Sequence, residues 1–434
     1  KPFGSSPGSR PPSAHAHAPA RARSPVAGCL RASRGARPAR ARAGMSAGLL
    51  CFVWHEGGQV SLKRETAAFL RDFPSGFESD LHLRLPRQGE APAAAPVPLF
   101  LSRHVATCGV GSWPQGSSAS VPGSAGAPPH PLALVKSSLQ KAVRRGCVRA
   151  AVAAAAYLLA HDPKELLRRL PIVFVEDVGV PESLPQLCWL MAAVQAGYVL
   201  CEGDARLVLE LVAAAAAHPV RTAAPTASEA EVAAALAALL RAGDGDEDGA
   251  GAGPGFLARC LALRACHGGM AGDLALLLGF AARPKVWAER LVASPRGAGG
   301  PAAAVAALAE EWLRAAQGRG PGAWASPLAP AEQLEVAVDF HCSDIVPQLR
   351  RHLQARAPAQ PPPGEDELKA ALWAHRSSLN FREGGPAGPL PGWWDADCEA
   401  RLAEFSRAAW ARRPAPAAGA AAGRLGVPPD AKRR

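Results

Sequence analysis

No Gly-Lys dipeptide occurs anywhere in the 434 residues, so the Gly-x-x-x-x-Gly-Lys-[Ser/Thr] loop that cradles nucleotide phosphates is missing, and ATP hydrolysis by that route is excluded. The ten cysteines form no Cys-x-x-Cys pair and no regular spacing, which argues against a structural zinc site and against a disulfide framework. Reduced, mostly buried thiols of an intracellular protein are expected instead. Long apolar runs are also lacking. The longest, Ala150 to Ala160, holds 11 residues between Arg149 and His161, too few to cross a bilayer, so no membrane partner is expected. No fixed-period repeat points to a solenoid.

Acidic residues are absent from two stretches. Residues 1–44 carry one Lys and eight Arg against no Asp or Glu. This Arg-, Ser- and Ala-rich segment before the first methionine, Met45, suits an organelle transit segment and translated sequence upstream of a start equally well, and is set aside from fold reasoning. These residues and the basic tail at 411–434 contribute +9 and +5 to the formal +11, so residues 45–410 sum to −3. The body is near neutral, and a protein-wide polyanion-binding surface is not supported. The second acid-free stretch, 91–161, contains Arg103, Lys136, Lys141, Arg144, Arg145 and Arg149. If residues 138–149 are one helix, Lys141, Arg145 and Arg149 recur every four residues as a basic stripe, which is either a solvated face or a contact for DNA or an acidic partner.

Five segments follow from composition. Residues 1–44 and 411–434 are expected to be disordered and basic. Residues 45–90, with alternating apolar runs at 49–54 and 81–85 and a Gly57-Gly58 turn signal, form a small β-containing N-terminal unit. Pro, Ala, Gly and Ser make 91–131 a linker. Residues 132–410 are read as all-α. Val148, Ala151, Val152, Ala155 and Leu159 mark an amphipathic helix, and Asp162-Pro163-Lys164-Glu165 supplies the cap, first-turn proline and capping-box acid of the next one, making a helical hairpin. Pro171 must kink or end that second helix, since Ile172-Val173-Phe174-Val175 by propensity prefers a strand. Further helices are placed at 184–200, 204–217, 228–242, 256–266, 273–280, 302–316, 331–340, 366–380 and 395–412.

Motifs with chemical potential are few. Asp244 to Gly249 opens like a calcium loop but carries Gly255 where a bidentate Glu must close it, and is read as an acidic loop. His267 to Asp273 is a turn before a helix, where Asp273 would repel an anion. Asp339, His341 and Cys342, with His375 as a distant fourth group, are weak metal candidates, because adjacent His and Cys do not aim at one ion from a helix; the bland reading is a helix end. Trp373 to Arg382 mixes an aromatic with cations, as either a base-stacking patch or a capped helix C-terminus.

The hairpin carries the most specific pattern: Ser138-Leu139-Gln140-Lys141-Ala142-Val143-Arg144-Arg145-Gly146, an Ala-rich stretch with Tyr157, then Leu167-Arg168-Arg169-Leu170-Pro171 through Glu176-Asp177-Val178-Gly179. Seven residues, two helical turns, bring Arg169 into line with Glu176 for an Arg–carboxylate pair. This order resembles the C-terminal helical domain of MgsA/RarA-type replication-associated AAA+ ATPases. The resemblance covers residues 136 to about 200 and implies a kinked helix at Pro171 and a mainly α multi-helix bundle like a clamp-loader collar. It also implies self-association, usually as a tetramer, and a link to DNA replication or repair, without the ATPase domain. It assigns interface roles to Lys141, Arg145, Arg168, Arg169, Glu176 and Asp177, and Arg144 and Arg149 join them as DNA candidates. No cofactor is implied. Two alternatives stay open: a metal-dependent hydrolase-like enzyme using Asp339, His341 and Cys342, or an organelle scaffold without a DNA role. The compartment is intracellular, nuclear or organellar (mitochondrion or plastid).

Overall fold

Leu50, Phe52 and Trp54 alternate with Cys51 and Val53 along β1 (Leu49–Trp54), and both sets are buried. A strand apolar on both faces needs cover on both sides. β1 pairs antiparallel with β2 (Val60–Glu65) and parallel with β4 (Val97–His104), and β3 (Ser75–Leu83) adds antiparallel to β4, giving the order β2-β1-β4-β3. One face is closed by α1 (Ala67–Asp72), which is capped by Thr66 Oγ1 accepting from Phe69 N and packs Leu70 on Cys51, Val53 and Phe100. The other face, with Leu50, Phe52, Trp54, Leu99 and Leu101, joins the main core of the helices. The computed structural model describes residues 49–84, 96–109, 132–218, 228–240, 253–288, 291–292, 345–372 and 389–411, with isolated positions 307, 310, 311 and 375; within them the chain is mainly helical with this one sheet.

Two sequence expectations are corrected here. β4 lies inside the 91–131 stretch read as linker, because the apolar triple Leu99-Phe100-Leu101 is diluted by surrounding Pro and Ala. The strands are also not an appended unit, since their inner face is continuous with the helical core.

The helical part opens with α2 (Leu132–Arg145) and α3 (Val148–His161). Between them Gly146 adopts φ +76°, with Gly146 N donating to Val143 O and Cys147 N to Ala142 O at 2.8 Å, the closure of a helix that ends on a left-handed residue. The single helix expected over 138–149 is therefore two, and Arg149 leaves the stripe of Lys141 and Arg145. All residues from Ala150 to Ala160 are buried, so α3 is a central helix rather than a one-sided one, and its small side chains let α2 and α6 (Glu202–Ala217) pack close. α4 (Pro163–Asp177) starts as its sequence predicts, with Asp162 Oδ1 accepting from Glu165 N at 3.1 Å. Pro171 lies inside this helix, and Ile172-Val173-Phe174-Val175 stays helical because all four are buried among neighbouring helices. Tertiary burial overrides their strand preference.

α5 (Leu184–Gln195) lies against β1, β2 and β4 on one side and against α4 and α8 (Pro254–Cys266) on the other. α7 (Glu229–Leu240) begins at a reciprocal capping box, Ser228 with Glu231. α9 (Ala271–Ala282) and the short α10 (Pro284–Trp287) pack on α8. A second, smaller core is built by α11 (Ile345–Arg356), α12 (Glu365–Leu372) and α13 (Ala396–Ala411), around Leu349, Leu353, Leu368, Leu372, Trp394 and Leu402. α11 has no counterpart among the sequence-predicted helices. Residues 331–340 lie outside the described residues, as do most of 302–316, the acidic loop 244–249, and both basic ends at 1–44 and 412–434. Among the described residues no helix is long and apolar enough to cross a membrane.

Candidate functional site: a charged lock in the helical hairpin

The periodicity of α2 brings Gln140 and Arg144 onto one face, and the end of α4 presents Glu176 and Asp177 to them. Arg144 Nε donates to Asp177 Oδ1 at 2.6 Å and Nη2 to Glu176 Oε1 at 3.2 Å, while Gln140 Nε2 donates to Glu176 Oε2 at 2.7 Å. Arg144 is 7 % exposed and Asp177 fully buried. A buried carboxylate needs such a partner, because its charge cannot be left without compensation away from water. Burial pushes the Glu176 carboxyl up, and neighbouring Asp177 adds to this while Arg144 and Arg169 oppose it.

Arg169 extends the lock. Its Nη2 donates to Gln140 Oε1 at 2.6 Å and its Nη1 to Asp273 of α9 at 3.1 Å. The pairing expected between Arg169 and Glu176 is thus corrected: Arg144 takes the acidic pair, and Arg169 ties the hairpin to α9. Asp273, read as an obstacle to anion binding, is the residue that receives Arg169. Arg168 turns the other way, with Nη1 on Glu165 at 2.7 Å and Nη2 on His267 O. Lys136 Nζ reaches the same Glu165 at 3.3 Å.

Lys141 is 2 % exposed, with Nζ donating to Ser137 Oγ at 3.0 Å, so it is a core residue and not part of a surface stripe. Arg145 is half-buried and Arg149 exposed. Beside the lock sits Arg264, which is buried and donates to two backbone carbonyls, Arg168 O and Gly268 O, both at 2.7 Å. Burial lowers its pKa to about 10. His267, hydrogen-bonded to Gln195 at 2.8 Å, is pushed down to about 4 by burial and by Arg264 and Arg168. Chemically this is an ion-paired junction of α2, α4, α8 and α9 that fixes their register.

A second buried charge escaped the sequence reading. Arg103, at the end of β4, donates from Nη1 to Asp204 at 2.7 Å and to Tyr198, and from Nη2 to Thr107 O at 2.6 Å, while its guanidinium lies 4.2 Å from the Trp54 ring centroid. Trp189 and Tyr198 complete the aromatic surround. Burial works against the charge, but Asp204 and Tyr198 outweigh it and raise the Arg103 pKa. No spacing rule links residues 101 positions apart; Arg103 stood out only as a cation in an acid-free stretch.

Asp339, His341 and Cys342 lie outside the described residues, and His375 is buried against Trp394 at 5.5 Å between ring centroids. Among the described residues no three His, Cys, Asp or Glu side chains gather as a metal site. Burial pushes the Cys188 and Cys266 thiols up to about 12, keeping both as inert core residues. Comparison with protein-family models, curated proteins and solved structures gives no match to this chain.

Proposed function

We propose that this protein is a helical interaction module that self-associates and serves DNA replication or repair, in the manner of the collar-like C-terminal domain that its hairpin resembles in MgsA/RarA-type AAA+ ATPases. The observation that carries this reading is the lock itself. Arg144 and Arg169, one from each basic cluster, meet the acidic pair and Gln140 at one helix junction, with Arg168 held by Glu165 beside it. Groups so engaged hold helices in place rather than turn over a substrate.

Burial divides the interface residues implied by the resemblance. Arg144 and Asp177 are enclosed within one chain and join its own helices, and Lys141 is enclosed on α2. Arg145, Arg168, Arg169 and Glu176 are partly exposed and Arg149 and Lys164 exposed, so the outer face of the hairpin is the surface offered to a second copy.

Gel filtration with light scattering of the full chain tests this. An oligomer, tetrameric by the resemblance, that dissociates in Arg149→Glu/Lys164→Glu is the expected result. A strict monomer at micromolar concentration overturns it.

A further inference from the structure

Gln348, Arg351 and His352 stand at i, i+3 and i+4 on α11, and Arg401 and Phe405 at i and i+4 on α13, so each set shares one helix face. The two faces line an open groove of about 340 Å³. Leu349, Leu353 and Leu402 of the same helices are buried in the small core, and Phe405 packs partly buried against that core while lining the groove with the rest of its ring. That volume is at the lower end of the roughly 300–1,000 Å³ typical of small-ligand sites, enough for one nucleotide-sized group at a time.

The lining is cationic, aromatic and amide-bearing at once. Arg351 is exposed, with Nε on Pro347 O of its own helix at 3.4 Å. Arg401 Nη1 rests on Glu404 at 2.6 Å, and His352 Nε2 on Asp397 at 2.8 Å. Both acids are more than half exposed, and each engages one nitrogen of its partner. A guanidinium carries five N–H donors, so most of those on Arg351 and Arg401 stay available to a ligand.

We propose that this groove binds single-stranded nucleic acid, with Phe405 stacking on a base, Arg351 and Arg401 holding adjoining phosphates, and the Gln348 amide meeting a base or sugar edge. Stacking platforms flanked by cations grip single strands without sequence preference. An acidic peptide would satisfy the two arginines but make no use of the part of Phe405 that lines the groove or of the Gln348 amide. A duplex keeps its bases stacked on each other and out of reach of Phe405. The inference rests on the nucleic-acid association proposed above and gives it a surface apart from the hairpin.

The test is fluorescence anisotropy of a labelled oligo-dT 15-mer with the full-length protein across 50–200 mM salt. Arg351→Gln/Arg401→Gln is expected to weaken binding at least tenfold at 100 mM salt. It should also reduce the slope of log K against log salt by about 1.4, since each phosphate contact on a single strand contributes about 0.7. Phe405→Ala is expected to weaken binding about tenfold with the slope unchanged, because stacking releases no counterions. Retained helical circular dichroism and a cooperative melt show that both variants fold. Wild-type binding with a slope the double variant does not change overturns the groove and leaves the wider association standing. Absence of any binding overturns both. Polyglutamate competing as well as the oligonucleotide, with no effect of Phe405→Ala, assigns the groove to an acidic partner and overturns the proposal.

Discussion

Arg144 Nε sits 2.6 Å from Asp177 Oδ1, clamping α2 to the C-terminal end of α4 at a point where the carboxylate is sealed from water. Removing the cation leaves a buried negative charge without its main partner. Arg144→Met is therefore expected to cost about 3–5 kcal/mol, read as a lowered urea midpoint at unchanged m-value. Arg144→Met/Asp177→Leu should recover a large part of that loss, because an apolar pair needs no charge compensation. A single variant costing under about 1 kcal/mol would show that solvent reaches Asp177.

Arg103 fastens the sheet to the helical body through Asp204 and Tyr198, and braces the turn after β4 through Thr107 O. Arg103→Lys keeps the charge but not the planar fork, so it cannot reach all three at once. A loss of about 2 kcal/mol is expected for Lys and about 3–5 kcal/mol for Arg103→Met, which leaves buried Asp204 with the Tyr198 and Cys201 hydrogen bonds but no opposite charge. Equal melting temperatures for the two variants would contradict a role for the charge.

His267 makes stability depend on pH. Its folded pKa, about 4, lies below the ordinary 6.5, so the folded state binds the proton less readily than the unfolded chain. The contribution of His267 to stability is level above pH 6.5 and falls between 6.5 and about 4, by up to about 3 kcal/mol. Glu176, with its pKa raised, acts in the opposite sense at the acidic end, since the folded state takes up its proton first. The difference between wild type and His267→Gln over pH 4–7 isolates the histidine: the variant should lose the decline. Parallel curves would refute this.

Gly146 separates α2 from α3 at φ +76°, a backbone region that costs an L-residue about 1–2 kcal/mol. Gly146→Ala should destabilise by about that amount without loss of helix, measured by thermal melting monitored in the far ultraviolet. A neutral effect would mean that the break shifts to another residue.

The helical hairpin was legible in the sequence where local chemistry is decisive. Asp162, Pro163 and Glu165 place the start of α4 to the residue, since a cap and a first-turn proline act over four positions. β1 could be read from its apolar run, and α7 from Ser228 and Glu231. β4 could not, because Pro98 and the Ala- and Pro-rich approach mask Leu99-Phe100-Leu101. α11 carries Pro347 and three arginines, and its apolar face is only four residues. The basic stripe failed for a physical reason: Gly146 breaks the helix, and Lys141 packs inward.

What the sequence determined by itself was the mainly helical body, the cysteines without a metal-site or disulfide pattern, the near-neutral interior of the chain between two cationic ends, and the hairpin with its caps. These depend on composition and on contacts a few residues apart. The tertiary structure decided which charges meet. Arg144 with Asp177, Arg169 with Asp273, and Arg103 with Asp204 lie 33, 104 and 101 residues apart, and only packing brings them within a hydrogen bond. The same packing keeps Ile172-Val173-Phe174-Val175 helical around Pro171, since the free energy of burying those side chains exceeds the strand preference that their local sequence expresses.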